Sequence, residues 1–120
     1  MALKAFAKKN EKNDILTLRK KLNCSQEKLA RIIGIAGRTV SRWETNKSIP
    51  SALANIRIRE LQRILDKMNG VIKEDKKGEW LNTPNEELNN DTPLEVISRG
   101  SEEAKEILEL LHRIEWGIPA

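Results

Sequence analysis

Arg38 and Arg42 stand four positions apart in the segment Gly37-Arg38-Thr39-Val40-Ser41-Arg42-Trp43-Glu44. On a helix that spacing puts both guanidinium groups on one face, a turn apart. A planar fork of N–H donors fits the O6 and N7 acceptors of guanine, so an exposed pair of this kind suits the groove of a nucleic acid. Outside a DNA-binding motif, the same two arginines would simply be solvated. Thr39 and Ser41 carry shorter hydroxyls that reach a base or a phosphate if this helix enters a groove. Other chemistry is scarce. His112 is the only histidine and Cys24 the only cysteine. No zinc ligand set, no nucleophile with a neighbouring base and no glycine-rich phosphate loop can be assembled, so neither an enzyme nor a cofactor protein is expected.

A small scaffold is needed to present that helix, and the preceding residues spell one. Ser25 is placed to cap a helix starting at Gln26. Ala30 is small enough for a second helix to cross closely, and Gly34 falls where a tight turn needs a positive φ. Val40 then covers Ala30, while Ile33 and Trp43 close the core; Trp43 is a packing residue rather than a contact residue. Two short helices joined by a turn of this composition describe a helix-turn-helix. Further apolar stripes at helical spacing run through Ile15, Leu18 and Leu22, and through Leu53, Ile56, Leu61, Ile64, Leu65 and Met68. With one Phe, no Tyr and no sustained alternation, strands are not expected, and the fold class is all-α.

The 120 residues are 38% hydrophobic and 33% charged, which fits a globular chain and not a disordered one. No apolar run approaches the roughly 18 residues of a membrane span, no secretory leader is evident, and a cytoplasmic protein is expected. The net charge of +4 conceals a division. Residues 1–68 carry 16 Lys/Arg against 6 Asp/Glu, and residues 69–120 carry 6 against 12. A basic part facing phosphates and an acidic part with another task would account for this. Asn69-Gly70 and the charged run Lys73 to Gly78 mark the boundary. Beyond it, Thr83-Pro84-Asn85-Glu86 and Thr92-Pro93-Leu94-Glu95 each read as a capped helix start with proline at the first helical position. Ser101-Glu102-Glu103 opens a last helix striped by Ala104, Ile107, Leu108, Leu111 and Ile114 and stopped by Gly117. Trp80 is expected in the core.

The run Leu22 to Ala30, then Arg38 to Glu44 and Asn46-Lys47, resembles the Xre/Cro-type helix-turn-helix family over roughly residues 13–68. The resemblance implies that the helix over about Gly37 to Thr45 lies in the major groove of double-stranded DNA with Arg38, Thr39, Ser41 and Arg42 at the bases. It also implies that Gln26, Asn46 and Lys47 belong to the DNA-binding set, with Gln26 and Lys47 on phosphates, and that the chain is a homodimer. The sequence departs from the family at Ala36, where a Ser or Thr cap is common, and at Gly37, which opens the reading helix without a side chain.

The later run Glu79-Trp80-Leu81-Asn82-Thr83-Pro84-Asn85, Leu88, Thr92-Pro93-Leu94-Glu95-Val96-Ile97, with Gly100, Ile107, Leu110-Leu111, Arg113-Ile114-Glu115 and Gly117, resembles the C-terminal domain of Xre/MbcA/ParS-type antitoxins. Asn90 stands where that family often has glycine, and asparagine tolerates the left-handed conformation. This resemblance implies an antitoxin that neutralises a RES-domain toxin consuming NAD and represses its own promoter. The residues assigned to the toxin are Leu110, Arg113, Glu115, Trp116, Ile118, Pro119 and Ala120. The expected organisation is a tail over 1–12, a helix-turn-helix domain over 13–70 and a toxin-binding domain over 71–120. The competing expectation is a one-component dimeric repressor whose acidic half only oligomerises.

Overall fold

The computed structural model describes residues 15–117, so the expected tail over 1–12 and the terminal residues 118–120 lie outside them. Helix α1 spans residues 15–22 and turns Ile15, Leu18 and Leu22 inward. Helix α2 covers Gln26–Ile33; Ser25 caps it, its hydroxyl accepting from the Lys28 N–H at 3.0 Å. Gly34 ends it at φ +91°, the left-handed conformation that only glycine takes without a Cβ penalty. Helix α3, Gly37–Glu44, begins at Ala36 with no side-chain cap, and helix α4, Ala52–Met68, is capped by Ser51.

The acidic half is built from shorter pieces. A 3-10 turn at Glu74–Lys76 leads into α5, Lys77–Leu81; a second turn at Glu86–Leu88 precedes α6, Pro93–Ser98, and α7, Ser101–Glu115. Thr92 caps α6 as its sequence requires, the hydroxyl accepting from the Glu95 N–H at 3.0 Å. The similar Thr83-Pro84 sequence does not start a full helix. Thr83 donates its hydroxyl backwards to the Glu79 carbonyl at 2.6 Å, and Asn85 caps only the single turn that follows. Asn89 and Asn90 then take positive φ, which closes that turn and brings Asn85 into a bridge with Asp91.

The two halves share one core. Leu22, Leu29, Ile32, Val40, Leu61, Ile64 and Met68 from the first pack in a continuous cluster with Leu81, Leu94, Ile97, Ile107 and Leu111 from the second. Each such side chain contributes about 1.5–3 kcal/mol by leaving water. Polar contacts cross the same seam. The Arg57 guanidinium donates to the Ile32 carbonyl at 2.9 Å and the Ile97 carbonyl at 2.7 Å, tying the C-terminal ends of α2 and α6 together. The Asn82 amide donates to the Leu22 carbonyl at 3.0 Å, and Glu95 pairs with Lys28 and Arg31 of α2.

Two expected stripes are corrected. Leu53 and Ile56 are 78% and 54% exposed, because α4 buries only Ala54, Ile58, Leu61, Ile64, Leu65 and Met68. On α7 the buried set is Ala104, Ile107, Leu110 and Leu111, with Leu108 half-buried and Ile114 44% exposed. Packing against both α4 and α6 turns Leu110 inward and leaves Leu108 and Ile114 at the edge.

Candidate functional site

Helix α3 is held from behind and open in front. Val40 and Trp43 are buried against the first half, leaving Arg38 and Arg42 exposed on the opposite side. Neither arginine has an ion-pair partner among the described residues. Thr39 and Ser41 are half-buried beside them. Past the helix, Thr45 donates its hydroxyl to the Ser41 carbonyl at 2.8 Å, Asn46 takes φ +62°, and Lys47 is exposed at the end of the turn. Arg38, Arg42, Asn46 and Lys47 are thus all exposed, the two arginines one turn apart on α3.

What sequence reasoning missed is the strut that sets the helix angle. Glu44, the last residue of α3, accepts from Arg19 Nε at 2.6 Å and from a second Arg19 nitrogen at 2.9 Å, a bidentate pair between α1 and α3. The Gln26 amide nitrogen donates to the same carboxylate at 2.9 Å. The hydrogen bonds from Arg19, chiefly, hold the Glu44 carboxyl below the usual carboxylate range. Gln26, expected on a phosphate, thus spends one amide hydrogen inside the protein. The only advance signal was an Arg in the first helical segment and a Glu closing α3. Cys24 lies beside this strut, and burial pushes its thiol up to about 11, so it is protonated and unreactive at neutral pH.

The missing side chain of Gly37 also has a structural meaning. A Cβ there would meet a carboxylate oxygen of Glu27 at 2.1 Å, so the Glu27 carboxyl from α2 occupies the space at the start of α3. A negative group at that end suits the helix dipole, which no side chain of Ala36 can offset.

A second exposed region ends α7. Trp116 is 68% exposed and lies tilted against His112, ring centroids 6.1 Å apart. Ile114 adds apolar surface beside it. Lys67, Leu108, Glu109, His112 and Arg113 line an open groove of about 440 Å³. Arg113 is half-buried, and its Nε is enclosed with no hydrogen-bond partner among the described residues. Glu115 is paired with Lys67 at 2.8 Å, which lowers its carboxyl below the usual range. Of the residues assigned to a toxin, Leu110 is 3% exposed and serves the core instead. Ile118, Pro119 and Ala120 lie outside the described residues. Trp80, expected in the core, is only half-buried.

A braced, outward-facing α3 following a short capped α2 makes this a helix-turn-helix protein, and residues 15–69 match the helix-turn-helix family model. Residues 71–117 match the model described as the antitoxin Xre/MbcA/ParS C-terminal toxin-binding domain, so the chain joins a helix-turn-helix to a domain of that description. It is similar to the mycobacterial cidal antitoxin MbcA of Mycobacterium tuberculosis and of Mycobacterium bovis, 26% identical over 98 residues, which is 82% of this chain and 85% of the relative. Its fold is that of a chain in the crystal structure of the M. tuberculosis MbcT-MbcA toxin-antitoxin complex, with a TM-score of 0.70 at 23% identity, covering 91% of this chain and 96% of that one. Among the described residues no helix is long and apolar enough to cross a membrane.

Proposed function

We propose that the protein is the cytoplasmic antitoxin of a type II toxin–antitoxin pair, that it blocks a RES-domain toxin consuming NAD, and that it represses its own operon. In this reading residues 13–70 bind the operator and residues 71–120 bind the toxin. Arg38 and Arg42 read bases, with Thr39 and Ser41 in support; Gln26, Asn46 and Lys47 hold the backbone. The toxin contacts are Arg113, Glu115 and Trp116, with Ile118, Pro119 and Ala120 continuing them. The observation that carries the reading is the exposed apolar end of α7. Trp116 at 68% exposure and Ile114 at 44% follow Arg113, which lines the groove with His112 and whose enclosed Nε has no hydrogen-bond partner among the described residues, and aromatic anchors and arginines are what partner-binding surfaces favour.

Deleting Trp116 to Ala120 tests this directly. A neighbouring reading frame should encode a RES-like protein, and the full chain co-expressed with that protein should co-purify with it and preserve cellular NAD. The shortened chain should lose both effects while still retarding operator DNA. A full chain that leaves the toxin unbound would instead favour the one-component dimeric repressor.

A further inference from the structure

We propose that Lys28 and Arg31 of α2 form a further contact surface for the DNA backbone, and that Glu95 of the acidic half competes with a phosphate for them. The inference rests on the reading of α3 as the DNA-binding helix, and it gives the acidic half a direct hold on the strength of DNA binding.

Lys28 stands in the first turn of α2 and Arg31 in the last. Both reach Glu95 of α6, whose carboxylate accepts from the Lys28 ammonium and lies 3.5 Å from an Arg31 nitrogen. Among the described residues no other ion pair joins α2 or α3 to the acidic half. The backbone behind this carboxylate is fixed: the Glu95 N–H donates to the Thr92 hydroxyl at 3.0 Å, and Arg57 donates to the Ile97 carbonyl at 2.7 Å. The hydrogen bond from Lys28, chiefly, holds the Glu95 carboxyl below the usual range, so it is ionised at neutral pH.

Position selects the competitor. Lys28 and Arg31 line an open groove of about 520 Å³ together with Ser25, Glu27, Ala36 and Gly37, the last two at the start of α3. A reading helix brings its N-terminal residues to the base edges, so the groove lies at the end of α3 that approaches DNA. Charge then decides its state. Glu27 and Glu95 balance Lys28 and Arg31, and a neutral groove draws no phosphate. Without Glu95 the cations outnumber the carboxylates.

Exposure makes the exchange possible. The Lys28 side chain is 19% exposed, but Glu95 is 42% and Arg31 64% exposed. Ion pairs this open to water are weak and screened by salt. A phosphate backbone releases counterions on meeting the same cations, which lets it displace a lone carboxylate.

The experiment uses the full chain and two duplexes, one selected from a random-sequence pool and one of unrelated sequence, titrated at several salt concentrations. Glu95→Gln keeps the size of the side chain and the backbone bond to Thr92 while removing the charge. It should bind both duplexes about fivefold to tenfold tighter at about 0.1 M salt, with a salt slope steeper by about one. Glu95→Asp, which draws the charge back by one methylene, should show a smaller gain of the same sign. In a chain that also carries Lys28→Gln and Arg31→Gln the gain should vanish. Equal affinity and slope for wild type and Glu95→Gln overturn the proposal. So does a gain that survives the loss of Lys28 and Arg31, or one matched by Glu86→Gln at an exposed carboxylate elsewhere in the acidic half, since either is a long-range charge effect. A gain confined to the selected duplex overturns it as well, because a backbone contact ignores sequence. Arg42→Ala separates the two readings: unchanged preference for the selected duplex removes α3 as the reading helix, while the Glu95→Gln gain on the unrelated duplex still decides the groove. A chain that binds neither duplex overturns both.

Discussion

Replacing Glu44 with alanine removes the one carboxylate that ties α3 to α1 and to Gln26. The Glu44 side chain is 7% exposed and that of Arg19 is 22% exposed, so the pair is mostly shielded from water. After the substitution Arg19 retains only a 3.4 Å contact to the Cys24 carbonyl, and the Gln26 amide has lost its acceptor. Breaking a fully buried pair costs about 3–5 kcal/mol, and a charged hydrogen bond contributes about 1.5–3 kcal/mol. Arg19 keeps some access to water, which places the loss near about 2–3 kcal/mol. In urea that is a fall of about 1 M in the unfolding midpoint. The pH dependence follows from the depressed Glu44 carboxyl. Its contribution is fully present above the unfolded carboxylate value of about 4.3 and is lost as pH falls through the lower folded value. Glu74, Glu95 and Glu115 are shifted in the same direction, but they are present in both chains and cancel in the difference. The gap between wild type and Glu44→Ala should therefore be wide at about pH 7 and shrink toward about pH 3. Equal urea midpoints at neutral pH, or a gap that does not change on acidification, would refute the reasoning.

Gly34→Ala should cost about 1–2 kcal/mol from its left-handed backbone alone, since nothing lies within 4 Å of the added methyl; urea unfolding measures it. Arg57→Ala strips donors from the Ile32 and Ile97 carbonyls and should cost about 2–3 kcal/mol. Hydrogen exchange should then rise at the ends of both α2 and α6, not of one alone. On DNA, Arg42→Ala should lose about 1–3 kcal/mol at the selected site and relax preference at one base pair. Lys47→Ala should weaken all duplexes alike and reduce the salt slope by about one, as titrations at several ionic strengths would report.

The helix-turn-helix was readable because its constraints are local. Ser25 bonds a backbone N–H three residues away, and Gly34 takes a conformation denied to its neighbours. The second domain was readable at α6, where Thr92 and Pro93 act within one turn. It misled at Thr83-Pro84, where the same residue types meet a different context and the hydroxyl turns back to Glu79. Helical spacing also led astray wherever a helix touches two partners. Leu110 went inward because α7 packs on α4 and α6, and Leu53 and Ile56 stayed outside because nothing among the described residues covers them.

By itself, then, the sequence determined the all-α class, the helix-turn-helix whose second helix carries Arg38 and Arg42, the change of charge near residue 69 and the antitoxin resemblance. Each of these depends on residue type or on spacing within a few turns. Tertiary structure alone decided that the two halves share one core, that Arg19 and Gln26 brace Glu44, and that Glu27 fills the space Gly37 leaves. It also decided which aliphatic side chains remain in water. Such outcomes turn on which helix faces meet across long gaps in the sequence, up to 67 residues between Lys28 and Glu95, and no local pattern encodes that geometry.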